Sequence, residues 1–175
     1  MAYRLPTLED RDVLKDYLNE CRDNDEQNVL LHQELFEKDF PAWVERIGRN
    51  SREGNGEWGR SLLLLCFDGD EVVGILCIRY ELSRELEAVY GNIGYEVRAS
   101  KRGRGYATQM PQYALNVCSG FCLESVTLGC CKDNAASAAV MKKRGGGDGD
   151  RRRQEALRVR REHRVHESAC GGRAG

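Results

Sequence analysis

The stretch Gly91–Thr108, GNIGYEVRASKRGRGYAT, constrains this chain more than any other. It reads as a strand, a basic glycine-containing turn and a helix start in immediate succession. Ile93, Tyr95 and Val97 alternate on one face of a strand over Gly91–Arg98. Ala107, Met110, Ala114, Leu115 and Cys118 supply the apolar positions of a helix opening near Tyr106. Between them, Ala99–Gly105 sets Lys101, Arg102 and Arg104 among two glycines. The amides of such a turn, followed by the unpaired N–H groups of a helix start, converge on an anion. The helix dipole adds about 0.3–1 kcal/mol. A surface turn with solvated charges is the competing reading of the same residues. GxxxxGK[ST] is absent from the chain and GxGxxG from this turn, which excludes a P-loop and a Rossmann fingerprint here. What is present is R-x-x-G-x-A, at Arg102, Gly105 and Ala107.

Residues 70–146 resemble the GNAT-type N-acetyltransferases, in the bacterial subgroup of predicted acetyltransferases. The stretches that carry the resemblance are IRYEL at 78–82, the turn stretch at 91–108 and CKDNAASAAVMKKRGG at 131–146. The resemblance implies an α/β fold, with a mixed, mostly antiparallel central sheet and helices on both faces. It implies acetyl transfer from acetyl-CoA to a primary amine of a small molecule or peptide, by direct attack and without a metal. Position by position, Val97 is then expected to lend its backbone to the pantetheine arm and to polarise the thioester carbonyl. Arg102, Gly103, Arg104, Gly105, Tyr106 and Ala107 are expected to hold the pyrophosphate, and Thr108 to add a hydroxyl. Asn134 is expected to touch the cofactor arm; read alone it is a helix cap, and the two roles are compatible.

The acid and base depart from the family pattern. Many relatives carry Tyr seven residues after the Asn, where this chain has Met141. Relatives often carry His where this chain has Asn92. Glu96 and Glu81 flank the expected acyl site; alternation sets Glu96 opposite Val97, on the wrong face unless the strand bulges. Tyr95 is the candidate proton relay through water. Read singly, each of these is a solvated strand-face residue. His32 falls on a helix expected to border the acceptor site.

The remaining elements follow from periodicity. Helices are expected over Pro6–Asp23, capped by Thr7, over Val29–Phe36, and over Ala42–Ile47 behind Asp39 and Pro41. Arg49–Gly59 reads as a loop. Leu62–Phe67 and Glu71–Leu82 read as strands joined at Asp68-Gly69-Asp70, and Ser83–Val89 as a connection. Ser125–Cys131 is the next strand, and Ala135–Arg144 a short helix. Pro111, inside the cofactor helix, removes the N–H that would bond the Ala107 carbonyl and costs roughly 3 kcal/mol unless the helix bends.

At 175 residues the chain is expected to form one main domain, residues 1–144, followed by an Arg/Gly-rich tail, 145–175. A net charge of −1 makes nucleic acid an unlikely partner for the whole chain. No apolar run is long enough for a membrane span, and the N-terminus lacks an apolar signal core, so a cytoplasmic location is expected. The eight cysteines lack zinc spacing and read as small buried hydrophobes. The tail carries eight Arg and no Lys, and RRRQEALRVRREHRV reads as a charged helix rather than the family's closing strands. Its composition favours an altered end, as a reading-frame change near Gly146 would give, over a basic arm for acidic partners. Either way the Ser125–Cys131 strand is expected to keep an open edge, a route to a homodimer or to aggregation. Two further functions stay open: a catalytically impaired acyl-CoA-binding protein and an Arg-rich interaction module.

Overall fold

A computed structural model of the chain describes residues 1–26, 33–121, 123, 125–131, 147–148 and 154–160. Strand β1 (Ala2–Arg4) leads into α1 (Arg11–Asp23), α2 (Gln33–Lys38) and α3 (Phe40–Arg52). The hairpin β2 (Ser61–Asp68) and β3 (Glu71–Arg79) follows, then α4 (Arg84–Tyr90), β4 (Ile93–Val97), α5 (Tyr106–Gly120) and β5 (Ser125–Cys131). Strands β6 (Gly147–Asp148) and β7 (Gln154–Arg160) complete a seven-stranded sheet in the order β1-β2-β3-β4-β5-β7-β6. Every neighbouring pair is antiparallel except β4 and β5.

The sheet buries both faces, which is why β2 and β3 are almost continuously apolar. On one face, Leu14, Tyr17, Leu18 and Cys21 of α1 and Phe40, Trp43 and Ile47 of α3 repeat at helical spacing. They pack on Leu63, Leu65, Phe67, Ile75 and Cys77. On the other face, Tyr106, Met110, Ala114 and Cys118 of α5 pack on Leu64, Cys66, Leu76, Ile78 and Ile93. Asp39 caps α3 by accepting from the Ala42 amide at 3.0 Å, with Pro41 in the first turn as the sequence predicts. Cys21, Cys66, Cys77 and Cys118 are buried and in no disulfide, in line with the apolar role expected of them.

The hairpin contains one irregularity that matters for the site. Phe67 pairs with Val72 but Cys66 pairs with Gly74, so β3 carries an extra residue there. At Gly74 an added Cβ would collide with the Glu96 carbonyl oxygen and lie 2.5 Å from Met110 Cε. Glycine is what lets β4 and α5 close on β3.

Several sequence expectations change. The three-residue β1 is too short to show a period and was not anticipated. The first helix opens with a 3-10 turn at Leu8–Asp10, so α1 starts at Arg11 rather than near Pro6. Helix α3 runs through to Arg52, into the stretch read as loop. The connection after β3 is helical, because the Ser83 hydroxyl accepts the Leu86 amide at 3.3 Å and caps α4. Helix α5 continues through Pro111, which is buried, without a break.

The largest correction is at the C-terminal end. Gln154–Arg160 is a strand and not a charged helix, and it covers the edge of β5 that was expected to stay open. Its register opposes Leu157 to Leu128 and Val159 to Val126, and both β5 residues are buried. Two apolar residues are a weak alternation to read among so many arginines, but the unpaired backbone of β5 decides the outcome. Asn134, Met141, His32 and the helix expected at 135–144 lie outside the described residues. Among the described residues no helix is long and apolar enough to cross a membrane.

Candidate active site

Strand β4 delivers the chain into the turn. The Asn92 carbonyl oxygen accepts from the Arg79 amide at 2.7 Å, and the Arg98 amide donates to the Val73 carbonyl at 3.0 Å. Antiparallel bonding alternates, so even-numbered residues of β4 bond to β3. The N–H and C=O groups of Ile93, Tyr95 and Val97 therefore point the other way, toward β5. On that side the two strands are in register only at Ile93 and Leu128. Beyond this single rung no further pair of β4 and β5 residues is in register, which leaves an opening on the Val97 side.

Asn92 fixes the closed end of the opening. It is 5% exposed, its side-chain amide donates to the Arg79 carbonyl at 3.0 Å, and its Oδ1 accepts the Thr127 amide at 2.8 Å. Its own amide donates to the Thr127 carbonyl at 2.7 Å. Thr127 Oγ1 in turn donates to Glu87 of α4 at 2.7 Å. One buried amide thus ties β3, β4 and β5 together. In the sequence Asn92 registers only as a departure from relatives; its structural role carries no local signal.

The open end leads to the predicted anion turn. One 3-10 turn spans Ala99–Lys101, and Gly103 and Gly105 then take φ of 76° and 86°, the left-handed region that favours glycine. Gly105 is the N-cap of α5 and offers no side-chain cap. The amides of Thr108 and Gln109 donate back to the Gly105 carbonyl. Among the described residues, the amides of Gly103, Arg104, Gly105, Tyr106 and Ala107 have no acceptor. A Cβ on Gly103 would meet nothing within 4 Å, so the space beside the turn is open. Unpaired amides around open space at a helix N-terminus are the donor set a pyrophosphate needs.

The three cations of the turn are placed differently from one another. Lys101 Nζ pairs with Glu71 at 2.6 Å. Arg102 Nη1 pairs with Glu26, just past α1, at 2.6 Å, and its Nε donates to the Val97 carbonyl at 3.1 Å. Arg104 alone is exposed with no ion-pair partner among the described residues. Tyr106 contributes its amide to the turn, while its ring is buried and its hydroxyl bonds Asp68, clamping α5 to the hairpin. Thr108 sits in the first turn of α5. The turn itself is pinned to α1. Glu20 accepts from the Ser100 amide at 2.7 Å and from the Ser100 hydroxyl at 3.0 Å, and it also binds Arg98. Burial pushes the Glu20 carboxyl up, but those hydrogen bonds outweigh it and hold the group below its ordinary value.

The two candidate proton carriers lie on opposite faces of β4. Tyr95 packs against the α5 face, as does Val97. Glu96 is in register with Ile75, on the α1–α3 face, where its charge is felt by Tyr17 and Cys77. Glu81 is not at the opening: it binds Arg60 at the far end of the hairpin. On the face that carries Glu96, a cavity of about 260 Å³ opens between α3, the Asn55–Trp58 segment, the start of β2 and the end of β3. Cys77 lines it and is the register partner of Gly94. Among the described residues no His, Cys, Asp or Glu cluster is arranged to hold a metal ion.

Residues 2–146 match the family described as acetyltransferase (GNAT) domain. No curated protein sequence matches the chain. Among solved structures, Mycobacterium smegmatis RimJ in complex with CoA-disulfide is 17% identical, with a TM-score of 0.69 over 90% of this chain and 80% of that one. The PaiA N-acetyltransferase of Thermoplasma acidophilum in complex with coenzyme A is 11% identical, with a TM-score of 0.63 over 91% and 98%. A Salmonella typhimurium acetyltransferase, YncA, solved with acetyl-CoA, is 13% identical, with a TM-score of 0.58 over 96% and 98%. At these identities the likeness is one of fold.

Proposed function

The chain belongs to the GNAT acetyltransferase family, and we propose that it transfers the acetyl group of acetyl-CoA to a primary amine by direct attack. The observation that carries this reading is the single-rung β4–β5 pair, which opens directly onto unpaired amides at the start of α5. The pyrophosphate rests on the amides of Gly103–Ala107, with Arg104 as the available cation. The pantetheine arm lies along the β5-facing edge of β4, beside the backbone of Val97. An N–H on that edge, aimed at the thioester carbonyl, stabilises the charge that develops there.

The amine approaches from the face of Glu96. Its lone pair forms the N–C bond as the C–S bond breaks. The nitrogen gives its proton to Glu96, directly or through water, and the thiolate leaves and takes a proton from solvent. Coenzyme A thiolate is a fair leaving group, so a dedicated acid is not required. Tyr95, on the opposite face, fits a role on the cofactor side better than a proton relay from the amine.

The test is calorimetric titration of acetyl-CoA into the full chain and into an Arg102→Glu/Gly105→Val double variant, followed by free-thiol release with a panel of amines. Binding by the intact chain that is lost in the double variant is expected. Absence of binding to the intact chain would sink the reading. Binding without thiol release from any amine would leave a CoA-binding protein that is not an enzyme.

A further inference from the structure

We infer that the cavity beside α3 is an oxyanion site, and that it selects acceptor amines carrying a carboxylate or a phosphate. That the ligand is the acceptor rests on the acetyltransferase reading; that it is an oxyanion rests on the cavity alone.

The cavity places two guanidinium side chains, Arg46 of α3 and Arg79 of β3, in one concave space. Neither has an ion-pair partner among the described residues. Arg79 Nη1 donates to the Gly91 carbonyl at 3.3 Å, which anchors one corner of its fork and leaves the rest for a ligand. Asn50 and Asn55 add amide groups, and no described lining residue is acidic. Two same-sign charges sharing a cavity repel each other, and a planar fork is the side-chain geometry that grips an oxyanion with paired hydrogen bonds. The floor is apolar, with Ile47, Leu63 and Cys77 buried, so the charges act through a medium less screening than water. Trp58 and Tyr90, with ring centroids 4.8 Å apart, form an aromatic wall for the carbon part of the ligand.

The cofactor's own phosphates are not what this site fits. The cavity lies at the Arg79 end of β3, whereas the anion turn sits at the other end, where Lys101 pairs with Glu71. Nine residues of strand separate the two ends, on the order of 25 Å at 3.3 Å per residue. Cys77, which lines the cavity, is the register partner of Gly94, and Glu96 lies two residues further along β4 on the same face. An acceptor anchored by its oxyanion at Arg46 and Arg79 therefore extends its other end, the amine, toward the base.

The test uses the full chain and three probes of one size: benzoate, phenyl phosphate and benzamide. Binding is read from Trp58 fluorescence; the other tryptophan, Trp43, is fully buried and serves as the constant background. At least one anionic probe is expected to bind tenfold or more tightly than benzamide, and the stronger of the two identifies the oxyanion as carboxylate or phosphate. In Arg46→Gln and in Arg79→Gln the preference is expected to fall to within twofold, with unchanged melting temperature and acetyl-CoA affinity. Equal binding of all three probes overturns the inference, as does a preference that survives both substitutions. If the anion preference holds but acetyl-CoA does not bind, the acetyltransferase reading fails and the oxyanion site stands. If acetyl-CoA binds and anions are not preferred, only the present inference fails.

Discussion

The Nε of Arg102 donates to the carbonyl oxygen of Val97 at 3.1 Å. The residue expected to face the pyrophosphate is thus bonded to the strand expected to receive the pantetheine, and its Nη1 is held by Glu26. Arg102 thus joins the strand to the turn, and an anion arriving at its guanidinium would compete with the Glu26 carboxylate. The Arg102 guanidinium is held above its ordinary value chiefly by its hydrogen bond to Glu26, so it stays charged throughout. Replacing Arg102 by Ala is expected to weaken acetyl-CoA roughly ten- to hundredfold, the loss of about 1.5–3 kcal/mol for a hydrogen bond to a charged group. Glu26→Gln is expected to tighten it several-fold. Calorimetry reads both, and an Arg102→Ala affinity equal to wild type would remove this residue from the site.

Asn92→Ala leaves the Thr127 amide and the Arg79 carbonyl without their side-chain partners inside the sheet. Each such buried group costs about 1–3 kcal/mol. Urea unfolding is expected to show a loss of at least about 2 kcal/mol, and kcat should fall further than stability alone explains, because the side-chain bonds that brace the closed end of the opening are gone. A change under 0.5 kcal/mol would mean that the strands hold their divergence without it.

Much of the strand, turn and helix start was legible in the sequence because it rests on local chemistry. Gly103 and Gly105 announce left-handed turn positions, and β5 was read to the residue. What stayed hidden depends on contacts distant in the chain. Nothing near Glu26 or Glu20 points to a turn some 80 positions later, yet these two carboxylates pin it. The cavity draws on α3, two strands and α4, none with a motif of its own. Strand β7 was misread because its charge pattern suits a helix, and only the exposed ladder of β5 makes it a strand.

At Gly74 a single methyl is expected to be costly. Gly74→Ala drives a Cβ into the Glu96 carbonyl and against Met110 Cε. Overpacking of this kind costs about 1–3 kcal/mol. Here it also shifts the strand that carries Val97, so thiol release should drop more than tenfold at temperatures where the variant is still folded. Retention of full turnover would show that the position of β4 is not critical.

Acid should weaken the fold through two carboxylates. Burial pushes Asp10 up, but hydrogen bonds from Arg4 and from the Thr7 amide and hydroxyl outweigh it and hold it below its ordinary 3.8. Glu20 is likewise held below its ordinary 4.5. A folded value under the unfolded one contributes stability that is full above the unfolded value and lost as pH falls through the folded one. Unfolding free energy should therefore be flat above about pH 5 and decline below about 4.5, the unfolded value of Glu20. Asp10→Asn should lower the plateau and flatten the decline; an unchanged acid limb in both Asp10→Asn and Glu20→Gln would refute the assignment.

The divergence of β4 from β5 also says something about heredity. What the opening presents to a cofactor is main chain, and main chain is the same whichever side chain stands at 95 or 97. Drift can therefore rewrite positions 95 and 97, provided the residue count between Asn92 and Gly105 is kept. An insertion or deletion of one residue there reverses which groups face the gap, so length variation in that interval should be purged where substitution is tolerated.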